Sequence, residues 1–212
     1  ASSLVGEPLC HYLPDATLIP NLAAAVPSLA DGSVSADLKS VTYTLKKGVL
    51  WSDGQPFTAN DVKFTLDWIN DPANGATFKS VYEVIDHIDV KDDHTLTINF
   101  KEPQVAWYVP FNGSLQGSIL PEHVLKGGGD ANDKFISNPI GTGPYVVKEF
   151  QSGDHVVYEA NPNFREANQP FFQTVTLKGG GDAPSAASAV LQTGDYDFAW
   201  NVQVDPKLLK QM

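Results

Sequence analysis

The chain has 212 residues, 42% of them hydrophobic and 10% aromatic, and carries a formal net charge of -11 at pH 7. That is enough apolar material to bury a sizeable core, as one large domain or two small ones. The 14 Lys and Arg form no cluster, so an anionic membrane surface or a nucleic-acid backbone would be repelled, and nucleic acid is excluded as a partner.

Residues 1 to 40 carry loop signals throughout: Pro8, Pro14, Pro20, Pro27, Asp31-Gly32 and Asp37. The single cysteine, Cys10, has no partner within the chain. Glu7 and Pro8 just before it do not suit a lipid-acceptor site, so it reads as a packed structural thiol. The N-terminus lacks the basic and apolar regions of a signal peptide, and no run of eighteen apolar residues occurs. The chain reads as intracellular or as one whose start has been removed.

From Val41 to Leu45, apolar Val41, Tyr43 and Leu45 alternate with Thr42 and Thr44, which predicts a strand with one buried face. Lys46-Lys47-Gly48 and Asp53-Gly54 are turns. Thr58-Ala59-Asn60-Asp61 is a capping box, so a helix starts at Ala59. Val62, Leu66 and Ile69 form its core stripe, Phe64 and Trp68 flank it, and Asn70-Asp71-Pro72 stops it.

Val84 to Phe100 is a hairpin. A three-residue loop, Asp92-Asp93-His94, sets Lys91 against Thr95, Val90 against Leu96, Ile88 against Ile98 and Asp86 against Phe100; a two-residue loop would set Val90 and Ile88 against threonines. The apolar pairs favour the three-residue loop. His87 then lies roughly 13 Å from the hairpin end, too far for it to share with His94 an ion bound at about 2 Å. A solvated polar face is the favoured reading.

Gln104 to Phe111 and Pro121 to Leu125 read as short helices or turns, and Gly127-Gly128-Gly129 as a flexible loop. The string Leu-Lys-Gly-Gly-Gly-Asp-Ala occurs at 125–131 and at 177–183 with unmatched flanks, as two glycine loops and not a repeat. Asn138 to Tyr145 leads into a second hairpin, Val146 to Phe150 and His155 to Glu159, turning at Ser152-Gly153-Asp154. Val175 to Lys178 is a strand. Asp182 caps a helix with Pro184 in its first turn, Gly194 ends it, and Asp197 to Asn201 is the next strand. A strand, helix, strand unit of this length implies parallel strands, whose carboxyl ends would put Gly179, Gly180, Trp200 and Asn201 near any site.

Catalytic patterns are missing. Gly113-Ser114-Leu115-Gln116-Gly117 has its serine one place too early for a nucleophile elbow, and there is no His-Glu-x-x-His, zinc cysteine pair or EF-hand loop. Gly179-Gly180-Gly181-Asp182 opens a helix but lacks the Gly-Lys-Ser/Thr of a nucleotide loop. Neither a cofactor nor a metal site is implied.

The segment Tyr43 to Val62, YTLKKGVLWSDGQPFTANDV, resembles the strand-WSDG-PFTA-D-V signature of solute-binding proteins of ABC-type peptide importers, the oligopeptide- and dipeptide-binding class of family 5. Gly141 to Tyr145 with Asn161-Pro162-Asn163-Phe164 resembles its GTGPY and NP-x-(F/Y) pair. Leu4 to Leu9 is similar to the segment leaving the first lobe, and Ile19 to Ala23 to its P-x-LA signature. The resemblance covers nearly the whole chain, although members are more than twice as long.

What the resemblance implies is an α/β, type II periplasmic-binding-protein-like fold with mixed sheets, two lobes present in part and a third absent. Residues 1–12 would belong to the first lobe, 13–138 to the second, and 139–212 to an incomplete return to the first. It implies a binding component and not an enzyme, extracytoplasmic and membrane-anchored in the full-length protein, though not itself inserted in the membrane. Its partners would be a peptide or another small solute and the ABC permease subunits, with lobes closing by a hinge over the ligand. Since members also carry nickel chelates, haem, opines and sugars, the solute stays open. Residue by residue, Trp200, Asn201, Val202 and Gln203 occupy the family's cleft-lining positions, while Trp200 reads equally as core. The glycines of the GTGPY segment serve backbone geometry. The rival readings are an α/β hydrolase with its catalytic residues elsewhere and a surface adhesion module.

Overall fold

The threonine and apolar alternation after Ser40 becomes strand β3 (Ser40–Thr44), with Val41 and Tyr43 fully buried. On its outer face the Thr42 hydroxyl meets that of Thr97 at 2.9 Å. The structure, a computed structural model, describes residues 2–113, 117–179, 181–199 and 206–210. Helix α2 (Ala59–Asn70) begins and ends as expected, burying Val62, Leu66 and Ile69, with Phe64 and Trp68 half-buried beside them. At its start the Asp61 carboxylate accepts the Thr58 backbone N–H at 2.8 Å and, with its other oxygen, the Glu122 N–H at 3.0 Å. Asp61 is buried, and desolvation raises its pKa against those hydrogen bonds. One turn on, the buried Thr65 hydroxyl donates to the Asp61 carbonyl at 2.7 Å and accepts the Leu120 N–H at 2.8 Å. Both α2 side chains thereby hold the chain that leads into α4 (Glu122–Leu125).

Strands β4 (Ile85–Asp92) and β5 (Thr95–Phe100) form the first hairpin, and β5 is the centre of an antiparallel sheet in the order β3-β5-β4. Val90 faces Leu96 and Ile88 faces Ile98, as the apolar pattern requires. The three-residue loop is wrong. Asp92 pairs with Thr95 and Ile85 with Phe100, so the loop is Asp93-His94, and irregularities next to Lys91 and Asp86 absorb the extra residues. Tertiary hydrogen bonds select this turn: the His94 carbonyl accepts Leu45 N–H at 2.7 Å, and the Asp93 carbonyl accepts Ala59 N–H at 2.8 Å.

The first 40 residues are more ordered than their prolines suggest. Strands β1 (Cys10–Tyr12) and β2 (Leu18–Pro20) make an antiparallel ribbon, too short for a period-2 pattern to register. The ribbon is held from outside: the Asn112 side-chain oxygen accepts Cys10 N–H at 2.8 Å, while its amide donates to the Tyr43 hydroxyl at 3.1 Å and to the Tyr108 carbonyl at 2.9 Å. Cys10 is a buried thiol, as expected, and burial pushes its pKa up to about 11.

A second antiparallel sheet runs β6-β7-β8, with β6 at Tyr145–Gln151, β7 at His155–Ala160 and β8 at Thr174–Lys178. Its hairpin turns at residues 152–154, with an irregularity next to Lys148. Helix α6 (Ala183–Leu191) is capped by Asp182, whose carboxylate accepts Ser185 N–H at 2.8 Å. The expected strand from Asp197 does not form in residues 197–199, and the rest of it lies outside the described residues. Among the described residues β8 pairs only with β7, antiparallel, and the parallel pair inferred from the sequence is not among the ladders described. The remaining α-helices among the described residues are short: α1 (Ser2–Val5), α3 (Lys79–Tyr82), α5 (Asp130–Ser137) and α7 (Pro206–Leu209).

Buried apolar side chains gather in two clusters among the described residues. The larger runs from Leu9 to Ile119 and includes Tyr43, Trp51, Phe57, Leu96 and Phe111; the smaller joins Val5 to Tyr145 and Tyr158 beneath the β6-β7 sheet. No helix among the described residues is long and apolar enough to cross a membrane.

Candidate functional site

Four segments singled out by their sequence meet where the two clusters adjoin. The chain passes between the clusters twice, outward through Val5 to Pro8 and back through Gly141 to Pro144, and the passes touch. Gly143 N–H donates to the Val5 carbonyl at 2.8 Å. A Cβ on Gly141 would lie 2.0 Å from that oxygen, and one on Gly143 2.6 Å, so no side chain fits at either place. These glycines act through backbone geometry, as expected.

The other segments are stitched to the return pass. Ser52, in the Trp51-Ser52-Asp53-Gly54 turn, donates its N–H to the Gly141 carbonyl at 2.9 Å, and the Asn163 side chain donates to the Ser52 carbonyl at 3.0 Å. Asn161, buried, donates its side-chain amide to the Gly143 carbonyl at 2.8 Å and its backbone N–H to that of Pro144 at 2.8 Å. Beside the outward pass, the Arg165 guanidinium holds the Glu7 carboxylate through both oxygens, at 2.6 and 2.9 Å, and donates to the Asn21 side-chain oxygen at 2.9 Å. Only 8% of Glu7 is exposed. This charged cluster is not legible in the sequence, because Glu7 and Arg165 are 158 residues apart in segments that read as loops.

The expected ligand residues, Trp200, Asn201, Val202 and Gln203, lie outside the described residues, as does Gly180. What is described is the carboxyl end of β8 and the helix that follows it. At the carboxyl end of β8, Gly179 N–H donates to the Asp154 carbonyl at 2.6 Å, and Lys178 pairs with the Asp154 carboxylate. Asp154 also meets His155 at 2.9 Å, and His155 reaches Glu149 at 3.3 Å. The Lys178 hydrogen bond, then that of His155, lowers the Asp154 pKa; the Asp154 hydrogen bond raises that of His155. After α6 the chain folds against the helix end, where Asp195 N–H donates to the Ala189 carbonyl at 2.9 Å.

An apolar cleft of about 420 Å³ opens between the clusters, lined by Trp68, Phe78, Ile140, Val147, Phe150 and Tyr158 among others, with no charged side chain. His87 and His94 do not meet: His87 lies between Asp86, at 2.7 Å, and Asp89, at 3.3 Å, on the exposed face of β4. Among the described residues no group of three or more His, Cys, Asp or Glu side chains is placed to hold a metal ion.

Known proteins resemble this chain in sequence and fold. The family model for bacterial extracellular solute-binding proteins, family 5 Middle, matches residues 19–211. The oligopeptide-binding protein AppA of Bacillus subtilis (strain 168) is 34% identical over 183 residues, which is 84% of this chain and 32% of AppA. The solved structure of Bacillus subtilis AppA in complex with a nonapeptide matches with a TM-score of 0.75 at 29% identity, over 91% of this chain and 37% of that one. NikZ from Campylobacter jejuni, in complex with Ni(L-His), matches with a TM-score of 0.78 at 29% identity, over 92% of this chain and 37% of that one. Both neighbours have the mixed α/β, type II periplasmic-binding-protein architecture expected from the sequence. The chain spans about a third of the length of the curated relatives it matches.

Proposed function

Because this chain belongs to the bacterial extracellular solute-binding proteins of family 5, we propose that it is part of the substrate-binding component of an ABC importer. It works outside the cytoplasm, in the periplasm or at the cell surface, and delivers a peptide or a similar small solute to the membrane permease subunits. The observation that carries this reading is the match over residues 19–211, in which the matched motifs build one joint between two packed clusters. The relatives' names describe binding proteins, which supports capture of the solute without turnover.

In this reading residues 1–12 and 139–212 belong to one lobe and 13–138 to another; the packing of Val5 with Tyr145 and Tyr158 supports it, while Leu9 and Cys10 pack in the larger cluster and draw the crossing toward residues 5–9. Trp200, Asn201, Val202 and Gln203 present main-chain groups and amides to the solute.

The test is a thermal-shift screen of this chain, and of a family-length polypeptide containing it, against di- to octapeptides, oligosaccharides and nickel chelates. A ligand at a hundred times its Kd adds about 2.7 kcal/mol to the native state, which for a chain of this size raises Tm by roughly 5–11 °C. A peptide-specific shift, with the peptide recovered intact, is expected. Shifts by a sugar or chelate alone would replace the solute class, and loss of the added compound to turnover would overturn the binding reading.

A further inference from the structure

We propose that Arg165, acting with Glu7 and Asn21, is a latch that couples the β6-β7-β8 sheet to the larger core, so that the sheet cannot open independently. Arg165 sits on the segment that follows β7, whose Tyr158 belongs to the smaller cluster. Its two acceptors lie elsewhere. Glu7 is on the outward pass, between Val5 of the smaller cluster and Leu9 of the larger, and Asn21 follows β2, next to Leu22 of the larger cluster. One guanidinium thus ties the exit of the sheet to the entry of the larger core.

The chemistry suits a coupling role better than a purely stabilising one. A buried ion pair adds little net stability over a well-packed apolar pair, but its removal on one side leaves an uncompensated charge. A planar guanidinium fork also fixes orientation, since both carboxylate oxygens must meet it together. Both are met here, at 2.6 and 2.9 Å, with a third bond to Asn21. The acceptors are themselves held: Asn21 donates its side-chain amide to the Pro8 carbonyl at 3.1 Å, and the Glu7 carbonyl accepts Ile119 N–H at 3.0 Å. The Arg165 guanidinium also lies 5.1 Å from the centre of the Phe164 ring, which keeps it against its own segment. The latch is independent of which solute the protein binds.

Hydrogen exchange resolved by peptide tests it. Arg165→Met is expected to speed exchange of the amides of Tyr145–Ala160 by on the order of a hundredfold, the effect of stranding a buried charge, while those of α2 and β5 keep their wild-type rates. Adding Glu7→Gln to Arg165→Met removes the stranded charge and should recover at least a tenfold part of that loss. Equal acceleration in both clusters, no acceleration in either, or no recovery in the double variant would overturn the proposal. If Arg165→Met does not fold, Asn21→Ala is read at the same peptides: a smaller change confined to Tyr145–Ala160 supports the latch, and a uniform change or none overturns it.

Discussion

Gly141→Ala should be among the most damaging single-methyl additions in this chain, and the joint shows why. The new Cβ would lie 2.0 Å from the Val5 carbonyl oxygen, about 1 Å inside the 3.0 Å below which real Cβ atoms are essentially never found. Relief requires the two passes to separate by at least that amount. The Gly143 N–H to Val5 carbonyl bond would then stretch from 2.8 Å to about 3.8 Å, beyond hydrogen-bonding range. The 2.9 Å bond from Ser52 N–H to the Gly141 carbonyl would be strained with it. Two buried bonds lost at about 1–3 kcal/mol each put the cost at roughly 2–6 kcal/mol, a large share of a typical stability of about 5–15 kcal/mol. Two other glycines calibrate the result. Gly153 has φ +79 and nothing within 4 Å of an added methyl, so Gly153→Ala carries only the left-handed backbone strain of about 1–2 kcal/mol. Gly127 has open space and no positive φ, so Gly127→Ala should be neutral or slightly stabilising. Urea titrations of the three variants measure the order directly. A Gly141→Ala loss no greater than that of Gly153→Ala would refute the close-approach argument.

Other consequences are equally direct. Thr65→Val keeps the shape of α2 but leaves the Leu120 N–H without its acceptor, costing about 1–3 kcal/mol; Thr65→Ser should retain most of that, and urea midpoints compare them. Burial pushes the Cys10 pKa from 9.0 to about 11, so folded protein at pH 8 should react with a disulfide reagent far more slowly than urea-unfolded protein. Because the unfolded thiol ionises first, stability should fall as pH rises between those two values, and Cys10→Ala should flatten that slope. The His155 pKa is raised above 6.5 chiefly by its hydrogen bond with Asp154. Its contribution is therefore complete below pH 6.5 and is lost as pH rises through the folded value. An NMR titration should show a midpoint above 6.5 that falls in Asp154→Asn; an unmoved midpoint would assign the shift elsewhere.

The elements legible in the sequence are those whose own residues determine them. Helix α2 has a start signal, an apolar stripe and a proline stop within one stretch, and its ends fall where these place them. The centre of the β4-β5 hairpin follows from apolar pairing, but its loop does not, because hydrogen bonds from Leu45 and Ala59 select the two-residue turn. Helix α5 is not legible. Its residues, DANDKFIS, include poor helix formers and none is fully buried, so no core stripe marks it. The heptapeptide Leu-Lys-Gly-Gly-Gly-Asp-Ala makes the same point: after the first copy Gly129 is the N-cap of α5, whereas in the second Asp182 is the N-cap of α6. Identical letters take different roles because capping depends on where the following helix can pack.

The same distinction bears on function. The motifs that mark the family, WSDG, GTGPY and NPNF, are consumed by the joint: their amides and carbonyls bond to one another, and their glycines admit a second backbone. A residue committed in this way has little left to offer a solute, so the positions that reveal the family and those that select its cargo should be different residues. Substitutions at Ser52, Gly141 or Asn161 should therefore lower stability and leave the rank order of ligands unchanged. If Asn201 and Gln203 line the site as proposed, substitutions there should reorder the ligands. A thermal-shift panel run on both sets separates the two effects, and a change in ligand order caused by Asn161→Ala would show that the joint also shapes the site.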